Sequence, residues 1–314
     1  MRSSRYEAFA IKHSTEQYST MADMSPEEAV TLEYRGRVAI ITLNQEKKLN
    51  ALNQDLYYRL ACCMHEIAAR DDISVTVLTA KGRFFSAYTY PIPFLRVHPT
   101  NPRINSGADV SISRSTPQGE DARRHWLKSF VANNLHITHA FYTHPKILVT
   151  ALNGPAVGLS AAIIAFSDFI YAAPHAFLLT PFSSVGLVAE GGASRAFVQR
   201  LGISKANEAL IMSKKITAEE LVATGFVNKI VDVGNAKASD KFLAEVLKEV
   251  DDRLGEHLNQ ESLLKIKALI RRPEREVLDA QGVHEVMGGL ERFLKGVPQE
   301  EFRKIAAGEK KHKL

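Results

Sequence analysis

The chain has 314 residues, 45% of them hydrophobic and 24% charged, with a formal net charge of +5 and a pI near 9.1. That length suits one large domain or a domain with a helical appendage, and the composition is that of an ordinary globular protein rather than a fibrous or disordered one. Much of the basic excess lies in the tail (Lys304, Lys310, Lys311, His312, Lys313), which reads as a solvated end rather than a nucleic-acid-binding surface, and no apolar run approaches about 18 residues, so no membrane span is expected.

Residues 1–28 are polar without a period and are expected to form a disordered N-terminal extension. Residues 32–44 read as two strands joined at Arg35-Gly36, the second nearly continuous in apolar side chains and so buried. Asn53 is placed to cap a helix on which Leu56, Leu60, Cys63, Ile67 and Ala68 recur at helical spacing. Cys62 and Cys63 are adjacent and make no CxxC spacing, so they read as reduced thiols, not as a disulfide or a zinc site. Residues 74–80 form a strand; 146–152, 159–166 and 169–172 repeat the order strand, helix, strand, which argues α/β architecture. Between them, 88–105 holds four prolines and fits neither a helix nor a central strand. Helices are predicted over 190–201, 204–212 and 217–222, the last with Thr217 as N-cap and Glu220 closing a capping box, followed by a short strand at 230–233. Residues 238–306 are helical by pattern, with Pro273 and Pro298 as breaks. The tail 307–314 ends His312-Lys313-Leu314, similar to the peroxisomal address read by an import receptor at a free C-terminus.

Three segments bear on chemistry. In the run from Val185 to Ala193, Glu190 is a lone carboxylate between glycines and apolar residues; burial there would raise its pKa toward the range useful for moving protons. Asn153 to Ala162 turns from a strand through Gly154-Pro155 and Gly158-Leu159-Ser160 into a helix whose first N–H groups point outward as oxyanion donors. The third is Gly82 to Ala87, interrupted and resumed at Ser106-Gly107-Ala108-Asp109-Val110. Asn153 reads as a turn residue supporting the second segment. His125, His136, His139 and His144 do not have zinc spacing and read as core or surface histidines; no metal site is expected. Trp126, Phe130 and Leu135 read as lining an apolar tunnel or a subunit contact. Lys265, Lys267, Arg271 and Arg272 read as a solvated basic face or as partners for phosphates.

The ordered set Phe84-Phe85-Ser86, Gly107-Ala108-Asp109, Asn153-Gly154-Pro155-Ala156, Gly158-Leu159-Ser160 and Leu187-Val188-Ala189-Glu190-Gly191-Gly192 resembles the crotonase, or enoyl-CoA hydratase/isomerase, superfamily over about residues 30–295, and within it the peroxisomal Δ3,Δ2-enoyl-CoA isomerases. The resemblance implies an α/β fold, a crotonase-type spiral of ββα units over 29–237 with an atypical insertion at 88–105, a C-terminal helical oligomerisation region at 238–306, and homotrimers or homohexamers. It implies Glu190 as the catalytic acid/base, the backbone N–H groups of Ala108 and Leu159 as the oxyanion hole, and Ser106, Gly107, Ala108, Asp109, Val110 and Leu159 as contacts to an acyl-CoA thioester. No cofactor is implied, coenzyme A being part of the substrate. The implied reaction moves a proton from C2 to C4 of a 3-enoyl-CoA in β-oxidation of unsaturated fatty acids in the peroxisomal matrix. Where hydratases of the superfamily carry two glutamates this chain has Ala162 and Phe182, which cannot activate water. Hydration or another crotonase chemistry, and a non-catalytic acyl-CoA binder, stand as the alternatives. Removing 88–105 and merging Ala87 with Ser106 restores the family's ordinary run, so the segment is either a loop at the mouth of the CoA site or a retained intron, which sequencing the transcript decides.

Overall fold

The computed structural model describes residues 24–86, 117 and 119–310. Ser25 opens a four-residue helix, α1 (Pro26–Ala29), in a capping box with Glu28. The extension read as ending at 28 is therefore structured from Pro26 onward: Ser25, Pro26 and Glu28 supply the start signals in one turn. The hairpin β1 (Val30–Arg35) and β2 (Val38–Leu43) is antiparallel, with Arg35 opposite Val38 across the predicted Arg35-Gly36 turn. Asn53 caps α2 (Gln54–Ala68) through its side-chain oxygen, and β3 (Val75–Ala80) follows. Beyond residue 119 come α3 (Ala122–Trp126), a π-helical turn over Leu127–Val131, α4 (Ala132–Tyr142), β4 (Ile147–Leu152), β5 (Ala156–Val157) and α5 (Leu159–Ile163), which tightens into a 3₁₀ turn to Phe166. β6 (Phe169–Ala172), β7 (Phe177–Leu179), α6 (Ala193–Leu201), α7 (Ile203–Leu210), β8 (Ile216–Thr217), α8 (Ala218–Ala223) and β9 (Lys229–Ile230) complete the α/β part. The final segment is helical: α9 (Ser239–Leu254), α10 (Gln260–Arg271), α11 (Arg275–Leu294) and α12 (Val297–Ala306). Pro273 lies in the 3₁₀ turn between α10 and α11, and Pro298 sits in the first turn of α12, where its missing N–H costs nothing.

Among the described residues the main sheet runs β1-β2-β3-β4-β6-β9, parallel from β2 onward. Its central strands β3 and β4 are buried along their whole length, threonines Thr76, Thr79 and Thr150 included. Alternation still assigns the faces. Ile41, Leu78, Leu148 and Ile170 point to the core shared with α2 and α4; Ile40, Val77, Val149 and Tyr171 point to Phe242, Val246 and Val250 on α9. A second sheet, β5-β7-β8, was not expected from the sequence, because its two- and three-residue strands are too short to show a period. The closing strand is Lys229–Ile230, shorter and earlier than the predicted 230–233.

The basic set on α10 is not one solvated face. Lys267 is 8% exposed and pairs with Asp168 at 2.7 Å, and Arg271 meets the other Asp168 oxygen at 2.8 Å. Burial lowers the Lys267 ammonium pKa, and Asp168 opposes that fall. These two cations therefore pin α10 to the start of β6. Trp126 and Phe130 likewise serve an intramolecular contact: Trp126 stacks on Phe293 with ring centroids 4.2 Å apart, and Phe130 packs on Phe293 at 4.8 Å, joining the π turn and α3 to α11.

Candidate active site

The site is built at the carboxyl ends of β3 and β4, where an open parallel sheet leaves a crevice. The chain after β3 is laced to its surroundings. Asn50 Nδ2 donates to the carbonyls of Lys81 and Phe84, each at 2.8 Å, and Ser239 Oγ accepts from the Gly82 N–H at 3.0 Å. Asn153 Nδ2 donates to the Gly82 carbonyl at 2.6 Å. Asn153, read as a turn residue, is therefore the tie between the first two chemistry-bearing segments. The Phe85 and Ser86 N–H groups both donate to the Pro155 carbonyl, and Val157 N–H donates back to Ser86 at 3.0 Å, so Ser86 and Ala156 form a parallel bridge. The tip of the first segment runs alongside the strand-to-helix turn of the second.

At that turn Gly158 has φ +65° and ψ −134°, a backbone that favours glycine, and its N–H bonds Leu179. The turn reverses the chain so that Leu159 begins α5. The Leu159 and Ser160 N–H groups, in the first turn, have no carbonyl within the helix to bond. Beneath them lies a chain of buried hydroxyls: Tyr57 Oη bonds Ser160 Oγ at 2.9 Å, and Ser160 Oγ bonds Ser86 Oγ at 2.9 Å. Burial raises the Tyr57 phenol pKa, and the charge on Glu190 pushes the same way, which puts the Glu190 carboxylate within electrostatic reach of this cluster.

Glu190 is half-buried, and it lies before the helix rather than in it. The helix predicted from 190 begins at Ala193, because Gly191 and Gly192 have φ of +69° and +74° and cannot continue a right-handed helix. Gly191 packs against α5: a Cβ there would stand 2.7 Å from Leu159 Cδ1 and 2.8 Å from the Ala162 Cβ. That contact sets the Glu190 loop beside the Leu159 turn. The carboxylate is not left uncompensated, as its apolar run suggests. Asn134 on α4, 4% exposed, donates from Nδ2 to Glu190 Oε2 at 2.7 Å, and Thr138 Oγ1 donates to Asn134 Oδ1 at 3.4 Å, orienting the amide. Neither Asn134 nor Tyr57 stands out in the sequence; α4, which carries Asn134, has low amphipathic order and gives no sign of which polar residue points inward.

Replacing Asn134 by Ala removes a hydrogen bond to the Glu190 carboxylate, worth about 1.5–3 kcal/mol. Steady-state kinetics should show kcat down about tenfold or more with KM within about twofold.

The structure therefore brings Glu190, Leu159, Asn153 and Ser86 together. Ser106, Gly107, Ala108, Asp109, Val110, the insertion 88–105 and the tripeptide His312-Lys313-Leu314 lie outside the described residues. Ala162 and Phe182, at 0% and 3% exposure, are core residues next to this site. The four histidines do not converge. His125 bonds Glu120, His136 stacks on His65, His139 meets Arg275, and His144 is buried against Thr76 Oγ1 at 2.7 Å. Among the described residues no three His, Cys, Asp or Glu side chains form a metal-holding group.

A largely parallel sheet joined to a second small sheet, with a carboxylate set beside a glycine-led strand-to-helix turn and a helical C-terminal segment, is the arrangement of the crotonase fold. The family model for enoyl-CoA hydratase/isomerase matches residues 115–293, more than half of the chain. The chain is 58% identical to a Delta(3,5)-Delta(2,4)-dienoyl-CoA isomerase of Pyricularia oryzae, over 90% of this chain and 98% of that protein. It is 30% identical to the 3,2-trans-enoyl-CoA isomerase of Saccharomyces cerevisiae, over 91% of this chain and 97% of that protein. The crystal structure of an enoyl-CoA hydratase/isomerase from Pseudoalteromonas atlantica superposes with a TM-score of 0.71 at 24% identity, covering 91% of this chain and all of that one. The chain belongs to the enoyl-CoA hydratase/isomerase family of the crotonase superfamily, and it is an isomerase of that family.

Proposed function

We propose that this isomerase shifts the C=C bond of a 3-enoyl-CoA to the 2-trans position, with Glu190 as the one acid/base. The observation that carries the reading is the Glu190 carboxylate bonded by Asn134 beside the Leu159 turn; by the family resemblance, Ala162 and Phe182 stand where hydratases carry their two glutamates. Glu190 takes a proton from C2; the C–H electron pair flows into the thioester, whose oxygen gains negative charge. The Leu159 N–H, and Ala108 N–H by the family resemblance, donate to that oxygen. They strengthen as charge develops, which lowers the barrier rather than only tightening binding. The thioester carbonyl then re-forms, the C1=C2 enolate pair becomes C2=C3, and the C3=C4 pair takes the proton back from Glu190 at C4. One proton moves and no co-reactant or cofactor is consumed.

A second reading, the conjugated 3,5-dienoyl-CoA shift with proton return at C6, is favoured by the 58% identity to a relative named for it. The two readings share the C2 step and differ in how far the carboxylate must carry the proton. The purified chain should convert 3-hexenoyl-CoA to 2-hexenoyl-CoA faster, by kcat/KM, than 3,5-octadienoyl-CoA to its 2,4-isomer. The reverse ratio would select the second reading. Formation of 3-hydroxyacyl-CoA as the main product, or binding without turnover, would sink both. Self-association into a trimer or hexamer is supported by exposed Ile203, Ile211 and Met212 around α7, and peroxisomal matrix import by His312-Lys313-Leu314.

A further inference from the structure

α11 packs against the segment that carries Asn134 and against the turn that follows Glu190. Gly282 faces Leu135, next to Asn134, at 3.7 Å for an added Cβ; Gly289 admits the Phe130 ring, where a Cβ would stand 2.5 Å away. On the same helix Glu285 is 6% exposed. Its Oε2 accepts from the Gly192 N–H at 2.7 Å, and its Oε1 accepts from the Ser194 N–H at 2.9 Å and the Ser194 hydroxyl at 2.5 Å. Gln281, one turn earlier, donates to Ser194 Oγ at 2.8 Å. The carboxylate thus does from 93 residues away what no residue of the Gly191-Gly192 turn can do itself: it caps the bare N-terminus of α6, whose own N-cap has no side chain. Placing a carboxylate here costs desolvation, which raises its pKa against the three donors that favour the charge. A buried acid held by three donors, two and four residues beyond Glu190, restricts the backbone that aims it.

We propose that Glu285 is a positioning residue for the isomerisation: it locks the Gly191–Ser194 turn so that the Glu190 carboxylate stays aligned between Asn134 and the substrate carbons. The inference rests on the reading of Glu190 as the acid/base. A side chain that only held the fold together would lower the melting temperature and leave kcat of the folded enzyme alone.

The test uses full-length Glu285→Ala, Glu285→Gln and Ser194→Ala, with Val283→Ala on the exposed side of α11 as control and Glu190→Gln as reference. Kinetics on 3-hexenoyl-CoA are run well below each variant's melting temperature, with hexanoyl-CoA binding measured separately. Glu285→Ala should lose tenfold or more in kcat, with KM and hexanoyl-CoA affinity within twofold and faster amide exchange at Gly192 and Ser194. Glu285→Gln keeps one acceptor for Gly192, and the Ser194 hydroxyl can turn to accept from the new amide, so it should recover most of that loss. Ser194→Ala, which retains the backbone bond, should lose two- to fivefold. A folded Glu285→Ala with kcat within twofold of wild type overturns the proposal. If Glu285→Ala does not fold, unchanged kcat in both Glu285→Gln and Ser194→Ala, together with unchanged amide exchange, overturns it equally. If Glu190→Gln keeps its turnover, it is the acid/base reading that fails.

Discussion

Glu190→Gln should lower kcat by about a thousandfold or more while hexanoyl-CoA still binds within about threefold, because general acid–base catalysis contributes about 10²–10⁴ and the amide cannot take a proton from carbon. The substitution is nearly isosteric. Its oxygen can still accept from Asn134 Nδ2, so the loop geometry survives. The loss should therefore fall on kcat and kcat/KM together, the pattern of an interaction used in the transition state. Exchange of the C2 hydrogen with solvent deuterium is the sharper measurement: it should vanish along with isomerisation. Wild-type-like exchange in Glu190→Gln would mean that another base removes the proton.

Gly154→Ala should be the most damaging single change outside the carboxylate. The added methyl would stand 2.0 Å from the Arg83 carbonyl oxygen and 2.8 Å from the Arg83 carbonyl carbon, both backbone atoms with no side chain to swing aside. The two segments must part by more than 1 Å to reach van der Waals contact. Such overpacking costs about 3 kcal/mol or more, which outweighs the 0.4–1 kcal/mol that Ala typically gains by restricting the unfolded chain. The bonds from Phe85 and Ser86 to Pro155 and from Asn153 to Gly82 bridge this same gap, so activity should fall with stability. Urea unfolding and kcat check it; a variant with the wild-type midpoint and turnover would show that the segments yield more easily than their lacing suggests.

Much of the frame was legible in the chain. The boundaries of α2, β3 and α8 follow from Asn53, from the apolar run after Ser74 and from the Thr217–Glu220 box, because caps and periodicity are local physics that act within one turn or strand. The second sheet escaped because its strands make only a few ladder bonds and exist by neighbouring the first sheet's turns. Glu190 was placed in the first turn of a helix by its apolar flank, whereas the two left-handed glycines after it start the helix three residues later. Lys267 and Arg271 looked like a surface cluster because charge in a sequence carries no record of Asp168, about a hundred residues away, whose carboxylate takes them both.

The residue types and their order pointed to the enoyl-CoA hydratase/isomerase family: a lone acid, Glu190, after glycine-led turns. Folding decided how that acid is held. Asn134 reaches the carboxylate from 56 residues before it, and Glu285 bonds the following Gly192 turn from 93 residues beyond that turn. Apolar periodicity tells a helix which face to bury, but a hydrogen bond of 2.7 Å depends on where two distant elements come to rest against each other, and only the packed structure specifies that.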